Sequence, residues 1–458
     1  MKDLLKRRAW VPAAVAAVLA GVLTRLILRN GIFTTPDSWA YWEGSISLLQ
    51  NQRYEWFGGE TLYLWPPLYS IYLAICQWIA GPSGVGLIWA STLLAAASCF
   101  TWCLYALRLT QQSNLTPQAK VGVGLLACVF ICFFVPATTF KLLAQTLSIG
   151  LTGLIYWLII REPSGSSARA YRVHCIVLGC VQALALLTHN AIIAILPGIA
   201  LALFTYDSYS IRTRLSGIVL NVGISVAPWL AVRIALQQGG SHPVGAGDQF
   251  FPVVAYLHQS ALTLGQFFFS NANEHRTLSL ILGVGFIVTS LVTWQMTRVT
   301  DRSAWRSMLL TILSYLSLLA LFCWTPVYNP ISSRFLWAVP LGVVPVLFVM
   351  AHRQAAWLTI ALAVLVCTFP AKRTVQFAVR GRLQEQTYSN EYQSSFIIYP
   401  RYVLTTKSDP VSKPTWYHVR PPTYPWQKRY RDVNPADRPK WVKLRAGSKD
   451  EDKRRQSP

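Results

Sequence analysis

The chain has 458 residues, of which 53% are hydrophobic and only 13% are charged, and its mean hydropathy is +0.37. Soluble chains carry roughly 25% charged residues, so this composition excludes a soluble globule, a secreted miniprotein or a wholly disordered chain. The net charge of +23 invites a nucleic-acid hypothesis, but basic segments are routine beside anionic lipid headgroups, and we expect no nucleic-acid partner.

Long apolar stretches recur along the chain, each of the roughly 17–25 residues needed to cross a hydrocarbon core of about 30 Å. They predict an all-α polytopic membrane protein with about eleven transmembrane helices. The predicted spans are residues 9–29, 85–107, 120–136, 142–160, 173–188, 190–206, 215–236, 278–297, 304–324, 335–351 and 354–370. The nine cysteines all lie in apolar stretches, and the i,i+4 pairs Cys99/Cys103 and Cys128/Cys132 are expected to be small core residues.

Basic residues set the predicted topology. Four of them precede the first span and place the N-terminus in the cytoplasm by the positive-inside rule. With eleven spans, the later basic clusters fall on the same side, within residues 108–120, 161–172, 212–214, 298–306 and 352–353. We therefore expect a multi-pass protein of a bacterial inner or plasma membrane.

This topology predicts two domains. Residues 1–370 form the transmembrane domain, and residues 371–458 form an extracytoplasmic, proline-rich tail with 19 basic and 8 acidic side chains. Most of the tail is predicted to be irregular, but Phe396-Ile-Ile-Tyr399 is typical of a short strand.

The first outer loop, residues 30–84, carries two predicted helices. Residues 38–50 have helical spacing. The apolar run from Pro66 to Ala80 is too short to span, so we expect an interfacial or re-entrant helix that starts at the double proline. Asp37 precedes the first helix, where it could cap the helix, act as a base or bind a metal; these roles stay open.

Aromatic residues crowd the same loop. Most are expected to belong to the interfacial aromatic belt, while some could stack on sugar rings or line a groove for a lipid tail. The candidates for such a groove are Trp39, Tyr41, Trp65 and Tyr69, together with Tyr328 farther along the chain.

The order of the motifs resembles a known family. Pro36-Asp37-Ser38, then Phe57-Gly58-Gly59, then Trp65-Pro66-Pro67-Leu68-Tyr69 is similar to the first-loop signature of GT-C membrane glycosyltransferases, closest to their protein-mannosyltransferase-like and aminoarabinose-transferase-like branch. Three later segments resemble the same group: Leu186-Leu187-Thr188-His189-Asn190, Ala227-Pro228-Trp229 with Arg233, and Tyr328-Asn329-Pro330 through Arg334-Phe335. The resemblance covers about residues 1–370.

The resemblance implies an enzyme that moves a sugar from a polyprenyl-phosphate donor to a glycan, lipid or protein acceptor at the outer face. Asp37 would be the first-loop acid, a general base or metal ligand. Negative charge develops on the leaving lipid phosphate, and cations would stabilise it. Arg334 is the first candidate because its planar guanidinium matches phosphate oxygens. Lys141 is a second cation, and His189 could bind phosphate when protonated.

One departure from the family pattern concerns a metal cofactor. Many relatives carry a second acid where this chain has Gln145, and an amide neither takes a proton nor binds Mg²⁺ or Mn²⁺ well. Three alternatives stay open: no metal is needed, another acid such as Glu43, Glu60 or Asp248 compensates so that Mg²⁺ or Mn²⁺ could still bind, or activity is lost. We assign no residue as a metal ligand. The alternative is a non-catalytic relative that binds lipid or scaffolds partners; a transporter is disfavoured because few ionisable groups lie mid-span.

Overall fold

The computed structural model describes residues 10–29, 32–34, 36–55, 62, 65–80, 84–139, 144–163, 167–237, 253–268, 275–324, 333–380 and 396–398. In chain order the elements are α1 (Trp10–Ile27), β1 (Ile32–Thr34), α2 (Pro36–Asn51), α3 (Leu68–Ala80), α4 (Gly84–Gln112), α5 (Pro117–Thr139), α6 (Gln145–Ile160), α7 (Ala168–Leu186), a 3₁₀ helix (Asn190–Ile195), α8 (Leu196–Phe204), α9 (Ile211–Gln237), α10 (Val253–Phe268), α11 (Arg276–Thr300), α12 (Arg302–Trp324), α13 (Ser333–Leu336), α14 (Ala338–Gln354), α15 (Ala356–Arg380) and β2 (Phe396–Ile398).

Every predicted span coincides with helix. Within the described residues, seven helices are long and apolar enough to cross a membrane, namely α1, α4, α5, α9, α11, α12 and α15. Shorter apolar helices are α3, α6, the 3₁₀ helix with α8, and α14. The chain is thus a polytopic helical membrane protein, while the count of eleven crossings stays a prediction.

Both predicted helices of the first loop are present. The second begins at Leu68, directly after Pro66-Pro67, and ends at Ala80 as predicted. The first begins at Pro36, so Asp37 lies in its first turn instead of before it.

The loops predicted to be cytoplasmic meet at one end of the bundle. Arg353 Nη2 lies 2.9 Å from Asp301 Oδ2, which joins the α14–α15 turn to the α11–α12 turn. Asp207, before α9, pairs with Arg214 at 3.4 Å and with Arg302 at 3.3 Å. These contacts agree with the predicted sidedness of the basic clusters.

The start of the predicted tail contacts the end of α1. Strands β1 and β2 pair antiparallel, with Ile32 opposite Ile398, and the strand predicted over 396–399 is confirmed. Arg29 Nη2 donates to the Val379 carbonyl at 3.0 Å. The last helix continues past residue 370 to Arg380, so the described part of the tail begins as helix and returns to the first loop.

Four cysteines are buried between α4 and α5. Cys99, Cys103, Cys128 and Cys132 are at most 5% exposed and belong to the main apolar core. The Sγ atoms of Cys99 and Cys103 are 3.9 Å apart. Their role as small core residues is confirmed.

Glycines allow α10 and α11 to cross in backbone contact. A Cβ on Gly283 would overlap the backbone carbonyl of Ala261, and one on Gly265 would overlap that of Ser279. Small residues at helix crossings are a standard means of close packing in membranes. Helix α10 lies in the loop 237–277, where the sequence predicted no helix.

We expect Gly283→Val to lower the midpoint of thermal unfolding in detergent. The added side chain must separate two backbones, and overpacking of this kind costs about 1–3 kcal/mol. Gly285→Val is the matched control, because a Cβ there meets nothing within 4 Å on the same helix. Equal midpoints for the two variants would show that the crossing contributes no stability.

Candidate active-site cleft

The two first-loop helices pack tightly on each other. Ser70 Oγ donates to the Tyr41 carbonyl at 2.9 Å, and Gln77 Nε2 donates to Ser45 Oγ at 2.7 Å. The rings of Tyr41 and Tyr69 meet edge to face with centroids 5.2 Å apart, and both are buried. The first loop is therefore a packed unit with its own small core.

The predicted groove aromatics belong in part to this core. Tyr54 donates to the Trp65 carbonyl at 3.1 Å. Burial raises the pKa of the Tyr54 hydroxyl well above its ordinary value, which keeps this donor protonated. The side chain of Trp39 and all of Tyr328 lie outside the described residues. That Trp65, Tyr41 or Tyr69 lines a substrate groove stays a prediction.

The first loop is joined to the segment after α7. The Leu68 N–H, at the start of α3, donates to the Leu187 carbonyl at 3.0 Å. This bond satisfies one of the donors that every helix start leaves without an intrahelical partner. The Trp65-Pro66-Pro67 segment is thereby held against the Leu186–Asn190 segment.

The other two segments of the resemblance meet at the same place. Trp229 Nε1 donates to Asn190 Oδ1 at 3.0 Å, across 39 residues of sequence. The ring of His189 lies 5.8 Å from that of Phe335, measured between centroids. Leu68, Trp229 and Phe335, one residue from each of three segments, therefore contact the fourth segment at residues 187–190.

Gln145, the departure from the family pattern, also contacts this point. It is the first residue of α6 and is 8% exposed. Its Nε2 lies 3.1 Å from His189 Nε2, and when the amide donates the imidazole nitrogen accepts. Among the described residues, Gln145 Oε1 has no hydrogen-bond partner, although it is buried. The sequence singled out both residues without predicting their contact.

The proposed phosphate cations lie at the edge of the described structure. Lys141 lies outside the described residues. Arg334 is the second residue of α13, and nothing is described of its side chain. Its neighbour Phe335 contacts His189, so the Arg334 backbone lies beside the convergence point.

A cleft opens at this convergence point, between α6, the 3₁₀ helix, α12 and the start of α14. Its cavity volume is about 60 Å³, and it opens to the surface at its mouth. The polar side chains that line it are Gln145, Ser148, Thr152 and Tyr156 from α6, Thr311, Ser314 and Tyr315 from α12, and His189.

Hydroxyl groups continue from the mouth of the cleft to its floor. Ser148, Thr152 and Tyr156 are spaced i,i+4,i+8 and so share one face of α6. At the floor, Tyr156 and Thr311 are hydrogen-bonded at 2.8 Å. Sequence reasoning missed these residues, although hydroxyls at helical spacing within an apolar span were a usable signal.

The described residues do not form a metal site. No group of three or more His, Cys, Asp or Glu side chains among them is arranged around a common point. The cleft offers one imidazole and one amide, whereas Mg²⁺ and Mn²⁺ prefer carboxylate and water oxygens. The side chain of Asp37 lies outside the described residues, and we derive no step that requires a metal.

Solved structures with a similar fold are membrane glycosyltransferases. The aminoarabinose transferase ArnT from Cupriavidus metallidurans in the apo state matches with a TM-score of 0.51 and 13% identity, over 84% of this chain and 78% of that one. ArnT bound to undecaprenyl phosphate matches with a TM-score of 0.46 and 16% identity, over 84% of this chain and 77% of that one. The Archaeoglobus fulgidus oligosaccharyltransferase in complex with Zn and sulfate matches at 0.46 and 14%, over 87% of this chain and 59% of that one.

No protein-family model matches the chain, and no curated protein matches it significantly in sequence. ArnT is a member of the GT-C superfamily. The chain therefore has the fold of the GT-C membrane glycosyltransferases, and the resemblance stated from its motifs is confirmed at the level of the fold.

Proposed function

We propose that this protein is a glycosyltransferase that moves a sugar from a polyprenyl-phosphate donor to a glycan, lipid or protein acceptor at the extracytoplasmic face of a bacterial membrane. The observation that carries the proposal is the convergence of the motif segments beside one polar cleft. Leu187, His189 and Asn190 each contact a different segment. The GT-C fold supports the same class of reaction.

In the proposed reaction, an acceptor hydroxyl attacks the anomeric carbon of the donor. The bond between that carbon and the phosphate oxygen breaks, and the lipid phosphate keeps the electron pair. Asp37 takes the proton of the hydroxyl, which is otherwise a poor nucleophile. Arg334 and His189 stabilise the negative charge that develops on the phosphate.

The direct test is transfer by the purified protein. It would be reconstituted with labelled polyprenyl-phosphate sugars and membrane or periplasmic acceptor fractions, and products would be identified by mass spectrometry. A comparison of surface glycans from cells with and without the protein identifies the acceptor independently. Transfer that requires the protein supports the proposal, and its absence with every donor contradicts it.

Gln145 favours one second candidate, a non-catalytic lipid-binding or scaffold protein. Its amide cannot act as the second acid of the family, and it contacts His189 instead. Copurified polyprenyl phosphate without any transfer activity would support this candidate over the enzyme.

We expect His189→Ala to lower kcat/KM for the lipid donor by roughly 10- to 100-fold, the effect of losing one hydrogen bond to a charged phosphate. The comparison is with His258→Ala, because His258 is exposed on α10 and does not line the cleft. Steady-state rates with varied donor give the measurement. If both variants change the donor dependence equally, His189 does not contact the donor.

A further inference from the structure

The polarity of the cleft lining bears on which sugar the proposed donor carries. Its described lining contains hydroxyls, one amide and one imidazole, but no carboxylate, lysine or arginine. A cationic amino sugar would lose its hydration there without gaining an opposite charge, and burial of an unpaired charge is costly. An anionic uronic acid would compete with the donor phosphate for His189, the one ionisable cation of the described lining. The lining therefore suits a polar but uncharged ligand.

Three buried polar atoms in the lining have no hydrogen-bond partner in the described part of the chain. They are Gln145 Oε1 near the mouth, Thr152 Oγ1 farther along α6 and the Tyr315 hydroxyl on α12. Thr152 is 1% exposed, so water reaches it poorly. Leaving such a group unsatisfied costs about 1–3 kcal/mol, which a ligand with hydroxyl groups at this depth would recover.

The length of the cleft along α6 agrees with a sugar bound below its mouth. From Gln145 to Tyr156 the wall of α6 extends about 16 Å at 1.5 Å per residue. The hydrogen bond between Tyr156 and Thr311 closes the lower end. Phe335, Trp337 and Leu318 add apolar surface to the same lining, and a pyranose with polar edges and apolar faces needs both kinds of surface.

We propose that this cleft binds the glycosyl group of the donor, that the group is an uncharged sugar, and that Gln145 and Thr152 are its specificity-determining contacts. This inference rests on the proposed function. It places the charged residues Arg334 and Asp37 with the phosphate and the reacting hydroxyl, and leaves recognition of the sugar to neutral groups.

The test measures binding with four synthetic ligands: polyprenyl phosphate alone, and the same lipid carrying a neutral hexose, an amino hexose or a uronic acid. The full-length protein in nanodiscs is titrated with each. We expect the neutral-hexose lipid to bind at least tenfold more tightly than either charged-sugar lipid. Equal or tighter binding of a charged-sugar lipid overturns the inference, whereas failure of polyprenyl phosphate alone to bind overturns the proposed function.

Two variants assign the contacts. Thr152→Val keeps the side-chain shape and is expected to weaken neutral-hexose binding about tenfold without affecting polyprenyl phosphate alone. Its matched control is Thr359→Val, since Thr359 is also buried with no described partner but lies outside the cleft. Gln145→Glu adds a carboxylate and is expected to improve amino-hexose binding at least tenfold. Thermal unfolding verifies folding, and variants that bind all four ligands like the wild type would contradict the assignment.

Discussion

Asp37→Asn is expected to slow sugar transfer by about 10²- to 10⁴-fold, the usual contribution of a general base. Asparagine has nearly the shape of aspartate and suits a helix start, so α2 should still begin at Pro36. The unfolding midpoint should therefore stay close to that of the wild type. The measurement is single-turnover transfer from a labelled lipid donor.

A suitable comparison for Asp37 is Asp207→Asn at the opposite end of the bundle. Asp207 is 60% exposed and pairs only with Arg214 and Arg302 in the described structure. We expect its loss to leave transfer unchanged. A fully active, correctly folded Asp37→Asn protein would mean that another group accepts the proton, with Glu43 the first acid to examine because it is buried in the same helix.

Arg306→Met is expected to produce the largest loss of stability. The Arg306 side chain is 2% exposed and Nη1 lies 2.7 Å from Glu162 Oε1. It also donates to Thr205, from Nε to Oγ1 at 3.0 Å and from Nη2 to the carbonyl at 3.1 Å. Its guanidinium lies 4.2 Å above the centre of the Tyr206 ring.

The contacts of Arg306 contribute unequally to the free energy of unfolding. Glu162 is 53% exposed, so solvent screens the ion pair and it contributes at most about 1 kcal/mol. The charged hydrogen bonds to the half-buried Thr205 and the cation–π contact add more, which brings the expected loss to about 3 kcal/mol. Unfolding in detergent, followed by tryptophan fluorescence, measures the difference.

Arg302 provides the comparison for Arg306 on the same helix. Its side chain is 70% exposed and its contact with Asp207 is 3.3 Å, so Arg302→Met should change stability by about 0.5 kcal/mol or less. Similar losses for the two variants would show that burial of Arg306 does not matter. The sequence did not separate these arginines, because both lie in the basic cluster 298–306.

Hydropathy predicted where helices lie because the thickness of the hydrocarbon core sets the length of an apolar run. It underestimated α15, which continues past residue 370 through Lys372 and Arg373. Beyond that point, the helix is held by a tertiary contact, the hydrogen bond from Thr374 Oγ1 to the Phe133 carbonyl at 2.8 Å. A pattern based on apolarity alone has no access to that contact.

For the candidate site, the sequence determined the composition and order of the motifs and predicted that they share one side of the membrane. Asp37 and Arg334 could be singled out from their positions beside predicted spans, and Gln145 and His189 from the comparison with the family pattern. Only the tertiary structure decided that Gln145 contacts His189, 44 residues away, and that Asn190 binds Trp229. Such pairings depend on helix packing, which a one-dimensional pattern does not encode.

The cleft also depends on features that local sequence shows and on others that only tertiary structure decides. Ser148, Thr152 and Tyr156 lie in an apolar helix whose sequence, considered alone, predicts a membrane span with hydroxyls on one face but not what that face contacts. Their function depends on what faces them, and α12 brings Thr311 and Ser314 there from more than a hundred residues away. The sequence determined that this protein crosses a membrane, because hydrophobicity is local; the structure decided where it has a cleft, because a cleft exists only between helices.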